Sequence, residues 1–132
     1  MPDNLYNAII VAIDFEGTQH ILADKSLNRG VQVGLAILDT RDLTYPSTTT
    51  NNCISTYNFV AGSAACHKKA KRQFLFGTTV RIALEDMRAA IEECMPRYRN
   101  IILVGYGVNN ELIALRNLHF NFEQFLMDVI DT

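Results

Sequence analysis

One segment constrains the fold more than any other: Ala8-Ile-Ile-Val-Ala-Ile13, an unbroken apolar run rich in β-branched residues and closed by Asp14. A strand that is apolar on both faces needs cover on both, so the run predicts the centre of a sheet flanked by helices. It is far shorter than the ~20 apolar residues that cross a bilayer. The preceding MPDNLYN lacks the basic-then-apolar build of a signal peptide. Cys53, Cys66 and Cys94 form no C-x-x-C pair, which suits reduced thiols. These features together predict a cytoplasmic or nuclear protein with no membrane partner.

Around that central strand the chain alternates between β and α patterns. Val31–Leu38 and Ile54–Val60 read as strands, separated by a Thr/Asn/Pro-rich loop from Tyr45 to Asn52. Residues 15–30, carrying His20, Asp24, Asn28 and Gly30, read as a connection. Residues 61–77 read as a long polar connection that holds His67-Lys-Lys-Ala-Lys-Arg72 and Phe74-Leu-Phe-Gly77. Thr78 or Thr79 then caps a helix in which Val80, Ala83, Leu84, Met87, Ile91 and Cys94 share one face and which Pro96 ends.

Ile101–Val104 is another buried strand, and Gly105 and Gly107 turn the chain into a helix from about Asn110 to Leu118. Phe122–Met127 adds a helical turn, and Asp128–Asp131 begins a last strand. The expected class is α/β: a mixed central sheet of three antiparallel strands followed by parallel ones, flanked by helices. The 132 residues fit a single domain, 1–132. A last strand so close to Thr132 leads to the expectation that the domain is C-terminally truncated and lacks its final helix.

Asp14 and Glu16 lie two apart at the carboxyl end of the central strand, where α/β sheets tend to place ligands. Two hard oxygen ligands side by side suit Mg2+ or Mn2+. Two such ions roughly 3.5–4 Å apart serve phosphodiester chemistry. A lone D-x-E, however, is more often a solvated strand end. Specificity comes from Val104-Gly-Tyr-Gly-Val-Asn-Asn-Glu-Leu-Ile-Ala-Leu115, where a strand and glycine turn bring Glu111 in on the first turn of a helix. Glu111 faces Asp14 and Glu16 if the strand at 101–104 neighbours the one at 8–13; otherwise it is an ordinary acid at a helix N-terminus.

Taken together, VAIDFEG (Val11–Gly17), VGYGVNNELIAL and the terminal Val129-Ile-Asp-Thr132 resemble the DEDD superfamily of 3′–5′ exonucleases, which have a ribonuclease H-like fold. Phe74-Leu-Phe-Gly77 ahead of the long helix, with the Asp-Thr pair, is most similar to the fungal Gfd-type group. The resemblance implies a nucleic-acid-binding, metal-dependent 3′–5′ exonuclease-type domain. Asp14, Glu16 and Glu111 would be its catalytic and metal-holding residues, Mg2+ or Mn2+ its cofactor in an incomplete two-metal site, and single-stranded RNA or DNA its substrate.

Departures from the family's pattern limit the expected activity. Glu111 stands where the family has Asp, and Tyr106 where it has His. Sites of this kind tolerate displacements of only ~0.5 Å. The third motif, with its last Asp and its water-positioning His or Tyr, has no counterpart here, and His20, His67 and His119 do not fall at its place. Loss of a general base costs roughly 10²–10⁴-fold. Impaired or absent activity is therefore expected, the alternative being a catalytically dead fold that acts as a protein-interaction module. A homodimer or a partner protein covering the uncovered edge is also expected.

The remaining candidates are more general. Net charge is −2, so nucleic-acid binding needs a local patch, and Lys68, Lys69, Lys71 and Arg72 are the candidates. The competing view of them is a solvated connection. Tyr57, Phe59, Phe74 and Phe76 are read as core aromatics sooner than as base-stacking ones, and Tyr106 as a packing residue at its turn. Cys66-His67 has no partner spacing for zinc.

Overall fold

A computed structural model describes residues 7–23, 29–43 and 53–132. Six strands form one sheet in the order β4-β3-β2-β1-β5-β6. β1 (Ala8–Glu16) lies inside it, antiparallel to β2 (Val31–Asp39) and parallel to β5 (Asn100–Gly105). β3 (Ile54–Ala61) continues the antiparallel series, and the short β4 (Thr79–Arg81) runs parallel to it. β6 (Leu126–Asp131) pairs in parallel with β5 at the other edge. The mixed sheet and the place of β1 within it agree with the expectation from the apolar run.

Helices cover the two faces unequally. Ile9, Val11, Ile13 and Phe15 of β1 join Val33, Leu35, Ile101 and Leu103 in the main core. Met87 and Ile91 of α2 (Leu84–Cys94) and Ala114 and Leu115 of α3 (Val108–Asn117) close that core from one side. Burial of each of these side chains other than Ala114 stabilises the fold by about 1.5–3 kcal/mol relative to exposure. On the opposite face sits α1 (Ala64–Gln73), whose only buried residue is Ala70. Ala12, Asp14 and Glu16 of β1 point to this second face and are exposed.

Several expectations are corrected. Residues 61–77 are not a polar connection: Ser63 caps α1 by accepting a hydrogen bond from the Cys66 amide. Thr79 and Val80 belong to β4 and not to a helix start. Pairing with Asn58–Val60 draws them into the sheet, and α2 begins at Leu84. α3 begins at Val108 rather than Asn110. The turn at Phe122–Gln124 is 3-10, and the last strand already starts at Leu126. The loop from Tyr45 to Asn52, with Asp24 and Asn28, lies outside the described residues. Among the described residues no helix is long and apolar enough to cross a membrane.

Candidate active site

The alternation along β1 decides where its acids point. Ile13 and Phe15 are committed to the core, so Asp14 and Glu16 emerge on the other face at the carboxyl end of the strand. β1 and β5 pair from Ala8↔Asn100 to Ala12↔Val104, and beyond that β5 turns away at Gly105. The parting leaves the backbone of residue 15 without a β5 neighbour. Glu111 of α3 takes that place: its Oε2 accepts a hydrogen bond from the Phe15 amide at 3.0 Å.

Glu111 is only 6% exposed. Burial pushes its carboxyl above the ordinary value, the Phe15 N–H partly offsets this, and the nearby charges of Asp14 and Glu16 raise it further. Glu111 thus reaches the strand from the α3 layer at residue 15, between Asp14 and Glu16, whose side chains are exposed on the α1 face. Among the described residues no three His, Cys, Asp or Glu side chains are already arranged as a metal cage. The donor set still suits a hard divalent cation, because a positive ion beside Glu111 would relieve both its desolvation and its like-charge repulsion.

The turn that delivers Glu111 is built with care for space. A Cβ on Gly105 would lie 3.1 Å from Val108 Cγ2 and 3.5 Å from Glu111 Cγ, so the helix packs directly on bare backbone. Gly107 is left-handed at φ 62°, a conformation glycine adopts without strain. Asp131 Oδ1 accepts from the amides of Gly107 and Val108 at 2.9 and 3.2 Å.

Beside the two exposed acids is a cavity of about 300 Å³ lined by Asp14, Glu16, Gly34, Ala36, Phe74 and Phe76. Gly34 lies across the ladder from Asp14. A Cβ there would meet nothing nearer than Asn58 Oδ1 at 3.9 Å, so neither packing nor φ requires glycine at that point. Glycine inside a strand weakens it and often marks close approach by another group. Phe74 and Phe76, in edge-to-face contact, form one wall. Phe76 is 76% exposed, which corrects its reading as core; Tyr57 is also exposed, whereas Phe59 packs against the core. Tyr106 is 88% exposed at its turn, which corrects its reading as a packing residue.

Lys68, Lys69, Lys71 and Arg72 are exposed on α1 rather than on a loop. Lys69 lines a second cavity, of about 260 Å³, that also reaches Glu16 and Cys66. The Ser63 hydroxyl donates to Cys66 Sγ and holds that thiol below its usual range. The histidines do not meet the acids in the cavity at Asp14: His67 Nε2 lies 3.4 Å from the Thr79 carbonyl, His20 lines a cavity with Arg29 and Arg81, and His119 is exposed. Sequence reading missed the Phe15 amide, the capping role of Asp131 and the place of Gly34 in the cavity lining. Gly34, a glycine interrupting an apolar strand, and the Asp131-Thr132 pair offered signals in the sequence; the amide offered none.

A mixed sheet with acids at the end of its central strand, and a third acid brought by the helix after β5, defines a ribonuclease H-like domain of exonuclease type. The family model described as DNA polymerase III subunit epsilon-like, C-terminal domain (DEDDh_C) matches residues 9–132, and the chain belongs to that family, within the DEDD exonuclease superfamily. Among curated proteins no match was found.

Proposed function

We propose that this chain is a nucleic-acid-binding, divalent-metal-dependent 3′–5′ exonuclease-type domain that holds Mg2+ or Mn2+ through Asp14, Glu16 and Glu111. The observation that carries the reading is the hydrogen bond from the Phe15 amide to Glu111, which keeps a buried third carboxylate beside the two exposed ones. A bound divalent ion would supply activated water and charge stabilisation at a phosphodiester. The chain's own part is to gather the carboxylates, to offer Phe74 and Phe76 as a wall for a terminal base, and to place the α1 cations along the phosphates. The finer kinship, with the fungal Gfd-type group, rests on Phe74–Gly77 and the Asp131-Thr132 pair. Free Cys53, Cys66 and Cys94 favour a reducing compartment, cytoplasm or nucleus.

Hydrolysis by this chain is expected to be weak, since among the described residues no histidine or tyrosine joins Asp14 and Glu16 in lining the cavity. A second reading, a catalytically inactive protein-interaction module, is favoured by one observation. Ile54, Leu126 and Ile130, on the same sheet face as Asp14, are 59%, 67% and 48% exposed. A partner protein or a second copy of the chain would cover them.

The test is a nuclease assay on single-stranded RNA and DNA with free 3′ ends in Mn2+, using Asp14→Ala as the control. Turnover falling by about 100-fold or more in the variant is expected if the acid holds the metal, and it would reject the inactive reading. Activity equal in both proteins would come from a contaminant and leave the metal assignment without support.

A further inference from the structure

α3 starts on a residue that cannot cap it. Gly107 is the N-cap and has no side chain, so the first amides of the helix need an acceptor from elsewhere. That acceptor comes from the edge strand beside β5: Asp131 Oδ1, at the end of β6, takes hydrogen bonds from both Gly107 and Val108 amides. The neighbouring Thr132 amide donates to the Gly105 carbonyl at 3.0 Å, and the Thr132 hydroxyl donates to the same oxygen at 3.3 Å. The β5–α3 turn is thus clamped on both sides by the last two residues, in register with the pairing of Gly105 and Asp131. Glu111 stands four residues beyond Gly107 and is buried on the same side of the helix as Val108.

We propose that Asp131 is a positioning residue for the candidate metal centre: as the borrowed N-cap of α3 it fixes the helix start and so holds Glu111 on the Phe15 amide. This rests on the metal reading above only for its consequence in binding; the geometric part stands by itself. Asp131 is exposed and touches neither Asp14 nor Glu16 through any hydrogen bond, so its influence passes through α3. A carboxylate is suited to the task because it also complements the positive end of the helix.

The experiment compares the full chain with Asp131→Ala, Asp131→Asn and Glu111→Gln by native-state amide hydrogen exchange and by Mn2+ titration. Asp131→Ala is expected to speed exchange of the Phe15 amide by about 10-fold or more while Ile101–Leu103 amides keep their protection. It should weaken Mn2+ binding by ~10-fold, the low end for residues that orient a metal ligand. Asp131→Asn keeps the Oδ1 acceptor and should restore both readouts. In a Glu111→Gln background, Asp131→Ala should weaken Mn2+ binding no further. Unchanged Phe15 exchange in Asp131→Ala, or acceleration of all amides together, would overturn the proposal. If Phe15 responds but neither Asp14→Ala nor Glu111→Gln alters Mn2+ binding, the metal reading falls and the positioning role stands.

Discussion

Asp39 and Glu111 are carboxylates at opposite ends of one sheet, about 20 Å apart by strand rise, and their surroundings could hardly differ more. Asp39 closes β2 beside the start of β1 and receives a two-pronged contact from Arg99, at 2.9 and 2.8 Å, with Arg41 adding a further bond at 2.9 Å. The Arg99 bonds hold its carboxyl well below the usual range, against the opposing effect of burial. Glu111 has one neutral N–H and two acidic neighbours, and its carboxyl is held high. The first end is neutralised and complete within the protein. The second is a buried carboxylate whose hydrogen-bond partner is a neutral amide and not a cation, an arrangement that favours a functional role over a purely structural one.

The largest effect that can break this contrast lies at the compensated end. Asp39→Ala should cost about 2 kcal/mol in chemical denaturation, below the 3–5 kcal/mol of a fully buried pair, because its side chain is 23% exposed. The folded form of Asp39 titrates lower than the unfolded one. Its stabilisation is therefore complete above the ordinary value of 3.8 and drains away as pH falls below it. A wild-type stability that stays flat from pH 5 down to ~2 would contradict the ion pair.

A smaller effect of opposite sign is expected at the other end. Glu111→Gln keeps an oxygen for the Phe15 amide and removes a desolvated charge, so stability should hold or rise by up to ~1 kcal/mol. Glu111 binds its proton more tightly folded than unfolded. Wild-type stability should accordingly decline as pH rises from 4.5 through its raised titration range, and the variant should lack that slope. A clear loss of stability in Glu111→Gln would make this residue structural, and the contrast with Asp39 would vanish.

Much of this architecture can be read from residue patterns, and the failures have physical causes. β1 and β5 are apolar runs, and β2 and β3 carry enough alternation, for local pattern to mark all four as strands. α1 escaped because its cations leave only Ala70 buried, so it carries no apolar stripe, although Ser63 ahead of it was a usable cap signal. Val80 fell in phase with Ala83, Leu84 and Met87 and so joined the wrong element; its pairing with Phe59 depends on a partner strand, not on local pattern. At the site, D-x-E at a strand end located Asp14 and Glu16. The Glu111 contact required knowing that β5 lies beside β1, and its attachment to a backbone amide has no trace in side-chain chemistry.

That contact has a kinetic consequence. It joins residues 96 apart in the chain, while β1, β2 and β3 are consecutive neighbours that meet across far shorter loops. Closing a longer loop costs more conformational entropy before any contact rewards it, roughly 0.6 kcal/mol for each doubling of length. The antiparallel meander is thus expected to assemble first, with its two acids in place, and the third acid to arrive only when β5 and α3 dock. Pulsed hydrogen exchange during refolding should protect the β2 amides before that of Phe15; simultaneous protection would mean that the meander and the helix are one folding unit.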